Sequence, residues 1–197
     1  LMATKQSLIQ FWKHQGIDER MIEAFLAVPR EYFVAPEFLH HAYDDRPLPT
    51  VRGQSLSQPT TVMIMSQALQ PQLQDHILEI GAGVGYQAAI LSKLVGPQGK
   101  IITAEIIPEL VQIARKNMQY SRSRNVTVVE TDGSRGVPEE APFDRVIITC
   151  ACPKIPETII EQTKEGGIII APVGDREEQM MVKATKIGSR LEFEFLG

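Results

Sequence analysis

The sequence predicts an α/β fold: a doubly wound, mostly parallel sheet with antiparallel C-terminal strands and a helical N-terminal extension. Three observations support this prediction. From residue 77 onward, short apolar runs alternate with longer amphipathic segments, as they do in βαβ units. The runs are rich in β-branched residues, which is typical of strands buried on both faces. The first run leads directly into a glycine-rich turn that opens a helix.

The N-terminal extension contains three predicted helices. Apolar residues recur every three or four positions around 8–12 and again around 21–26, so each segment presents one apolar face. Asp18 is placed to cap the second helix. A proline-rich loop follows, and the pattern becomes helical again over 58–69, where Pro59 occupies the first turn and its missing N–H costs no hydrogen bond.

The remaining elements follow in the order expected for a parallel sheet. Strands are predicted at 77–80, 101–104, 126–129, 146–149 and 168–171, and helices at 86–95, 108–120 and 156–164. Two last strands, at 180–185 and 191–195, have no helical pattern between them and are expected to pair antiparallel. We therefore expect a single domain over 1–197, with 1–75 as the helical extension and active-site loop and 76–197 as the ligand-binding sheet.

The composition indicates one compact domain that does not bind nucleic acid. Of the 197 residues, 43% are hydrophobic and 22% are charged, which is typical of a globular protein. There are 20 Lys and Arg against 24 Asp and Glu, so the net charge is −4 and no broad basic surface is expected. No apolar run is long enough for a membrane span, and polar residues interrupt the N-terminal segment where a signal peptide would be apolar.

The cysteines and histidines indicate neither a disulfide nor a metal site. Cys150 and Cys152 are separated by one residue, a spacing that suits neither a disulfide framework nor zinc. Their expected role is packing, and a reducing, cytoplasmic location follows. None of the four histidines has a partner at metal-ligand spacing, so no metal is expected.

The glycine-rich turn indicates what the sheet binds. Gly81, Gly83 and Gly85 form G-x-G-x-G, and Tyr86 stands where a dinucleotide fingerprint would have its third glycine. This argues against a pyrophosphate ligand. Glu79 places a carboxylate near the turn, which would repel phosphate and favour a cation such as an amino group or a sulfonium. S-adenosyl-L-methionine carries both cations and no phosphate.

Two more carboxylates follow successive strands. Glu105 ends the second strand of the sheet, where an acidic side chain can accept both ribose hydroxyls. Asp132 follows the third strand, beside Gly133, where it can accept a hydrogen bond from an adenine amino group. Each has a plainer interpretation, since Glu105 could be a solvated strand end and Asp132-Gly133 a turn. Their joint placement at strand ends favours S-adenosyl-L-methionine.

Several blocks along the chain resemble those of a known family. They are Tyr43-Asp44-Asp45-Arg46-Pro47-Leu48-Pro49, Gly53-Gln54-Ser55-Leu56-Ser57-Gln58-Pro59, Leu78-Glu79-Ile80-Gly81-Ala82-Gly83-Val84-Gly85-Tyr86-Gln87-Ala88-Ala89, Asp132-Gly133, Ala141-Pro142-Phe143-Asp144, Ile155-Pro156, Gly166-Gly167 and Pro172-Val173-Gly174. Together they are similar to the protein-L-isoaspartate (D-aspartate) O-methyltransferases, which have a Rossmann-like S-adenosylmethionine-binding sheet. The block before Pro59 distinguishes this family from other methyltransferases, because they share the glycine turn but not this segment.

The resemblance implies protein repair. Enzymes of that family transfer a methyl group from S-adenosyl-L-methionine to the α-carboxylate of isoaspartyl residues in damaged proteins and peptides, which leaves S-adenosyl-L-homocysteine. The methyl ester closes to a succinimide that hydrolyses partly back to normal aspartate. A carboxyl of pKa about 4 is already ionised at neutral pH, so transfer needs positioning more than a general base. A monomer is expected.

The resemblance also assigns Ser57 as the catalytic residue, a hydroxyl donor to the substrate carboxylate. From the residues alone, Ser57-Gln58-Pro59 is more typical of a helix N-cap, and the resemblance reverses that preference. Ser55 stands where many relatives have threonine and is expected to lie beside the cofactor. The cofactor site would then comprise Ser55, Glu79, Gly81, Gly83, Gly85, Glu105, Asp132 and Gly133.

Three other functions are weighed against repair. A methyltransferase with another acceptor, such as RNA or a small carboxylic acid, would share the fold, although the acidic balance disfavours RNA. A cofactor-binding protein without catalysis is a second alternative, and a nicotinamide-dependent dehydrogenase is disfavoured by Glu79 and Tyr86. Relatives usually continue a short way past the position of Gly197, so the chain is expected to be trimmed there.

Overall fold

The architecture comes from a computed structural model, which describes residues 4–175 and 177–196. The expectation of a trimmed end falls on Gly197, outside the described residues. The described residues form six α-helices: α1 Lys5–His14, α2 Glu19–Ala27, α3 Pro59–Leu69, α4 Tyr86–Val95, α5 Pro108–Tyr120 and α6 Glu157–Gln162. Over the same residues there are nine strands: β1 Leu48–Pro49, β2 Ser55–Leu56, β3 His76–Ile80, β4 Lys100–Glu105, β5 Val126–Glu130, β6 Phe143–Ile148, β7 Thr163–Gly174, β8 Gln179–Ile187 and β9 Arg190–Phe195.

The main sheet confirms the predicted α/β class. In the described part of the chain it has seven strands in the order β5-β4-β3-β6-β7-β8-β9. The first five strands in this order, β5, β4, β3, β6 and β7, are parallel to one another. Strand β8 pairs antiparallel with β7, and β9 pairs antiparallel with β8. The strand order reverses between β3 and β6, and a crevice at such a reversal, outside the carboxyl ends of the strands, is where doubly wound sheets bind ligands.

Two apolar cores cover the two faces of the sheet. One contains side chains of α1 to α5 packed on sheet residues such as Ile77 and Ile147. The other contains Leu78, Val146 and Ile159 of α6, together with further strand residues. Successive strand residues point to opposite faces, which is why the strands are apolar throughout. The N-terminal helices therefore share a core with the sheet.

The N-terminal extension forms the three predicted helices, with further detail between them. Asp18 is confirmed as the N-cap of α2, accepting a hydrogen bond from the Arg20 amide at 3.1 Å. The proline-rich loop contains two 3-10 helices, Arg30–Phe33 and Pro36–His41, and the short antiparallel pair of β1 and β2. Two-residue strands have too few positions for an alternating pattern to be read from sequence.

The boundary between α6 and β7 differs from the prediction. The helix ends at Gln162, and β7 begins at Thr163, whereas the sequence predicted a helix to 164 and a strand from 168. The polar residues 164–167 fall where the register with β6 shifts, between the pairs Phe143–Thr163 and Arg145–Ile168. Such irregular pairing uses backbone hydrogen bonds and needs no apolar side chains, so periodicity does not reveal it.

Within the two described ranges, no helix is both long and apolar enough to cross a membrane.

Candidate active site

A cleft of about 620 Å³ opens at the carboxyl ends of β3, β4 and β6. Its volume lies in the range usual for small-molecule sites. Its lining includes eight of the nine residues that the sequence placed in the site: Ser55, Ser57, Glu79, Gly81, Gly83, Glu105, Asp132 and Gly133. The loop around β2 forms one wall, and the strand ends form the opposite one. The fold thus brings the serine block and the glycine turn to one cavity.

The glycine turn lines the cleft with backbone atoms that carry no side chains at Gly81 and Gly83. At Gly81, with φ at +93°, a Cβ atom would come within 2.5 Å of the Thr149 hydroxyl oxygen. At Gly83, φ is +53°, and a Cβ would project into space with no described atom within 4 Å. Gly85 lies outside the cleft, where a Cβ would come within 2.6 Å of Met118 Cε on α5. Gly83 therefore leaves room for a ligand, while Gly85 allows α4 and α5 to pack.

Glu105 holds the glycine turn to the end of β4. Its Oε2 accepts a hydrogen bond from the Gly83 amide at 2.8 Å, and its Oε1 accepts bonds from the amides of Ile106 and Ile107 at 2.9 and 3.0 Å. The side chain is buried. A carboxylate has about four acceptor positions, so roughly one, on Oε2, is left for a ligand in the cleft.

Glu79 is fully buried beneath the turn and lines the cleft. Its Oε2 accepts a hydrogen bond from the Thr103 hydroxyl, whereas Oε1 has no partner among the described residues. Burial raises the pKa of Glu79 to about 8, with a smaller contribution from the Glu105 charge, and the Thr103 bond opposes the shift. A buried oxygen without a partner is costly, and a polar group of a bound ligand would satisfy it.

Asp132 lies at the exposed rim of the cleft. Its Oδ1 accepts hydrogen bonds from the Ser134 amide at 3.0 Å and hydroxyl at 2.8 Å, which hold the pKa of Asp132 below its ordinary value. The turn predicted from Asp132-Gly133 is thus present as the start of a short 3-10 helix, Gly133–Arg135. Since Oδ2 is not used in these bonds, Asp132 can form the turn through Oδ1 and still contact a ligand through Oδ2. Gly133 lies so close to Ile80 that a side chain would overlap it.

Ser57 does not cap α3. The N-cap of α3 is Gln58, which makes no side-chain capping bond. The capping acceptor is Asp45, whose Oδ1 and Oδ2 accept from the Thr60 amide at 2.9 Å and hydroxyl at 2.7 Å. Across residues 4–175 and 177–196, no hydrogen-bond partner is found for the Ser57 hydroxyl. The capping interpretation of Ser57 is therefore wrong, and its hydroxyl is available to a ligand.

Asp45 is a residue whose role the sequence did not predict. It lies in the block from Tyr43 to Pro49, so the family resemblance marked the segment but not the capping contact. Thr60 also accepts a hydrogen bond from the Trp12 indole at 2.7 Å. This network joins α1, the proline-rich loop and the start of α3, and so fixes the segment that carries Ser57.

The lining of the cleft includes one basic side chain and two cysteines. Lys154 is the one cationic residue among the described lining residues, and it is exposed. Cys150 and Cys152 also line the cleft, and burial raises the pKa of both thiols. A raised pKa disfavours nucleophilic chemistry. Cys152 packs against the sheet core whereas Cys150 is exposed, so the predicted packing role holds for Cys152 alone. No group of three or more potential metal ligands occurs within the described residues.

An ion pair links the loop before the serine block to the start of α5, at the edge of the cleft. Arg52, beside the serine block, donates from Nε to Glu109 Oε2 at 2.7 Å, at the start of α5. Both side chains are substantially exposed, at 69% and 45%. The two residues are 57 positions apart, and no sequence pattern links them. Neither side chain lines the cleft, but each lies within two residues of one that does, so the pair ties together two segments at its edge.

Replacing Arg52 with glutamine is expected to weaken cofactor binding modestly. An exposed ion pair contributes about 0 to 1 kcal/mol, so the dissociation constant for S-adenosyl-L-homocysteine should rise up to about fivefold at low salt. Titration calorimetry at low and high salt measures this, because salt screens the wild-type pair and should bring the two proteins together. Equal affinities at low salt would show that the pair does not hold the cleft.

Comparisons with known proteins agree with the geometry. The family described as protein-L-isoaspartate(D-aspartate) O-methyltransferase matches residues 3–194. A Methanopyrus kandleri protein-L-isoaspartate O-methyltransferase is 43% identical over 189 residues, covering 93% of this chain and 84% of its own length. One from Methanothrix thermoacetophila is 40% identical over 188 residues, covering 95% and 89%.

Solved structures show the same fold. A protein-L-isoaspartate O-methyltransferase superposes with a TM-score of 0.91 at 30% identity, covering 98% of this chain and 63% of its own. A Plasmodium falciparum protein solved in complex with S-adenosyl-L-homocysteine superposes with a TM-score of 0.84 at 19% identity, covering 98% and 94%. This chain therefore spans somewhat less than two thirds of the first of these structures.

Proposed function

The chain belongs to the protein-L-isoaspartate(D-aspartate) O-methyltransferase family, and from this premise we propose that it methylates the α-carboxylate of L-isoaspartyl residues in damaged proteins and peptides. S-adenosyl-L-methionine supplies the methyl group and leaves as S-adenosyl-L-homocysteine. The observation that carries the proposal is the match over 3–194, in a chain whose serine block and glycine turn line one cleft.

The residues of the cleft fit this cofactor. Gly83 leaves open space against the turn, and the partnerless Oε1 of Glu79 offers an acceptor to the amino group of the methionine part. The remaining acceptor position of Glu105 suits one ribose hydroxyl, where the sequence predicted two, because three backbone amides use the others. The free Oδ2 of Asp132 suits the adenine amino group.

The acceptor side of the cleft supports transfer to a carboxylate. The substrate carboxyl is ionised at neutral pH, so the protein need only hold it in line with the methyl group. The hydroxyl of Ser57 is free to donate a hydrogen bond to one carboxylate oxygen, which leaves the other to attack. The ammonium of Lys154 adds the one positive charge among the described lining residues and favours an anionic acceptor.

We also propose that residues 1–197 form one methyltransferase domain. The segment 1–75 supplies the helices and the Ser57 loop, and 76–197 supplies the cofactor-binding sheet. The core shared by α1 to α5 and the sheet supports this organisation. A cytoplasmic location, a monomeric state and the lack of nucleic-acid binding stay predictions from the sequence.

Incubation with methyl-labelled S-adenosyl-L-methionine and paired peptides tests the proposed function. The peptides differ only in having isoaspartate or aspartate at one position. We expect base-labile label on the isoaspartyl peptide alone. The control is Gly83→Val, whose side chain would fill the open space of the turn and should abolish labelling through loss of cofactor binding. The proposal would be contradicted if the wild-type protein binds the cofactor but labels neither peptide.

A further inference from the structure

Arg30 is a fully buried arginine beneath the serine block. It opens the 3-10 helix Arg30–Phe33 and has 0% of its surface exposed. Its Nη2 donates a hydrogen bond to the Ser57 carbonyl oxygen at 2.7 Å. Its guanidinium carbon lies 4.9 Å from the centre of the Tyr86 ring. Because Tyr86 begins α4 directly after the glycine turn, one side chain contacts both the acceptor and the cofactor sides of the site.

A contribution to folding stability alone does not explain why the charged side chain of Arg30 is buried here. Within the part of the chain that the structure describes, Nε and Nη1 have no hydrogen-bond partner, and neither has the Tyr86 hydroxyl. Burial lowers the pKa of Arg30, although a guanidinium remains charged at physiological pH. Burying a charge with few partners is costly, and an apolar side chain of similar size is often at least as stabilising. The hydrogen bond to the Ser57 carbonyl and the contact of the guanidinium with the Tyr86 ring are the specific interactions that an apolar residue would lose.

We propose that Arg30 is a positioning residue for methyl transfer. It fixes the backbone of Ser57 through the hydrogen bond to the carbonyl oxygen, so that the serine hydroxyl faces the reacting carboxylate. Through its contact with the Tyr86 ring, it also holds that backbone in place relative to the cofactor side. The Asp45 bonds to Thr60 fix the chain three residues further on, so the serine is held from both directions. This inference rests on the proposed function, with Ser57 as the hydroxyl donor.

A second, partly buried arginine provides a control at the other end of α3. Arg145 donates from Nε to the Leu69 carbonyl oxygen at 3.1 Å, at the last residue of the helix. It lies 3.8 Å from the Asp75 carboxylate and keeps only 17% of its side chain exposed. Arg145 is outside the lining of the cleft. Both arginines thus bind a backbone carbonyl beside α3, but only Arg30 contacts Ser57.

The test compares Arg30→Met, Arg30→Lys and Arg145→Met in the isoaspartyl peptide assay, with rates corrected for the folded fraction. We expect Arg30→Met to lower kcat about tenfold or more, with KM for S-adenosyl-L-methionine changed less than about threefold. Arg30→Lys should recover part of kcat, because its ammonium can donate to the Ser57 carbonyl. Arg145→Met should lower the melting temperature and leave kcat unchanged.

Two results would overturn the proposal: wild-type kcat in Arg30→Met, or an equal loss of kcat in Arg145→Met. If Arg30→Met does not fold, Arg30→Gln replaces it, since its amide nitrogen ends two bonds short of Nη2, and wild-type kcat there would overturn the proposal equally. Failure of the proposed function is recognised separately, because the wild-type protein would then not methylate the isoaspartyl peptide.

Discussion

Ser57→Ala is expected to lower kcat/KM for an isoaspartyl peptide by about a hundredfold or more, while the dissociation constant for S-adenosyl-L-homocysteine changes less than about twofold. The hydroxyl has no partner in the described structure, so its removal leaves no buried group unsatisfied and should not affect folding. The loss falls on the acceptor, because a carboxylate without its hydrogen-bond donor is held less well in line with the methyl group. Single-turnover methylation and calorimetry measure the two quantities.

Two further variants separate the acceptor side from the cofactor side. Ser57→Thr keeps a hydroxyl and should retain a measurable part of the activity that Ser57→Ala loses. Ser55→Ala, two residues earlier on the same wall, should instead raise KM for S-adenosyl-L-methionine. Unaltered turnover in Ser57→Ala would remove Ser57 from the mechanism, and an equal loss of cofactor affinity would move it to the cofactor site.

The parallel sheet could be predicted because burial on both faces leaves a clear pattern in the sequence. The runs beginning at Ile77, Ile101 and Val126 each lie inside an observed strand. The pattern is lost where pairing depends on backbone alone. The start of β7, with the polar residues 164–167, and the two-residue strands β1 and β2 are examples.

The site residues could be predicted in part, because strand ends and glycine turns are local features. The residues that hold them are not local. Asp45 caps a helix 15 positions later in the chain, and Arg30 binds a carbonyl 27 positions away. Such contacts depend on how the N-terminal helices dock on the sheet, and neither spacing nor residue type reveals that. The interpretation of Ser57 as a cap failed for the same reason, since the acceptor came from another segment.

Glu79 makes folding stability depend on pH. Its pKa is raised from 4.5 to about 8 in the folded protein, mainly by burial. Below about pH 4.5 the carboxyl is protonated in both the folded and unfolded states. Between that pH and about 8 the folded protein keeps a proton that the unfolded chain has lost, so the free energy of unfolding falls as pH rises. The loss is complete above the folded pKa and amounts to at most about 1.4 kcal/mol per pH unit in between.

Glu79→Gln should remove this dependence. The glutamine side chain is neutral at every pH, and its oxygen can still accept the hydrogen bond from Thr103. The difference in unfolding free energy between Glu79→Gln and wild type should therefore shift in favour of the variant by several kcal/mol between pH 5 and pH 8. Urea unfolding without cofactor at three pH values in this range measures it. A constant difference for Glu79→Gln would mean that its carboxyl is ionised in the folded protein throughout this range.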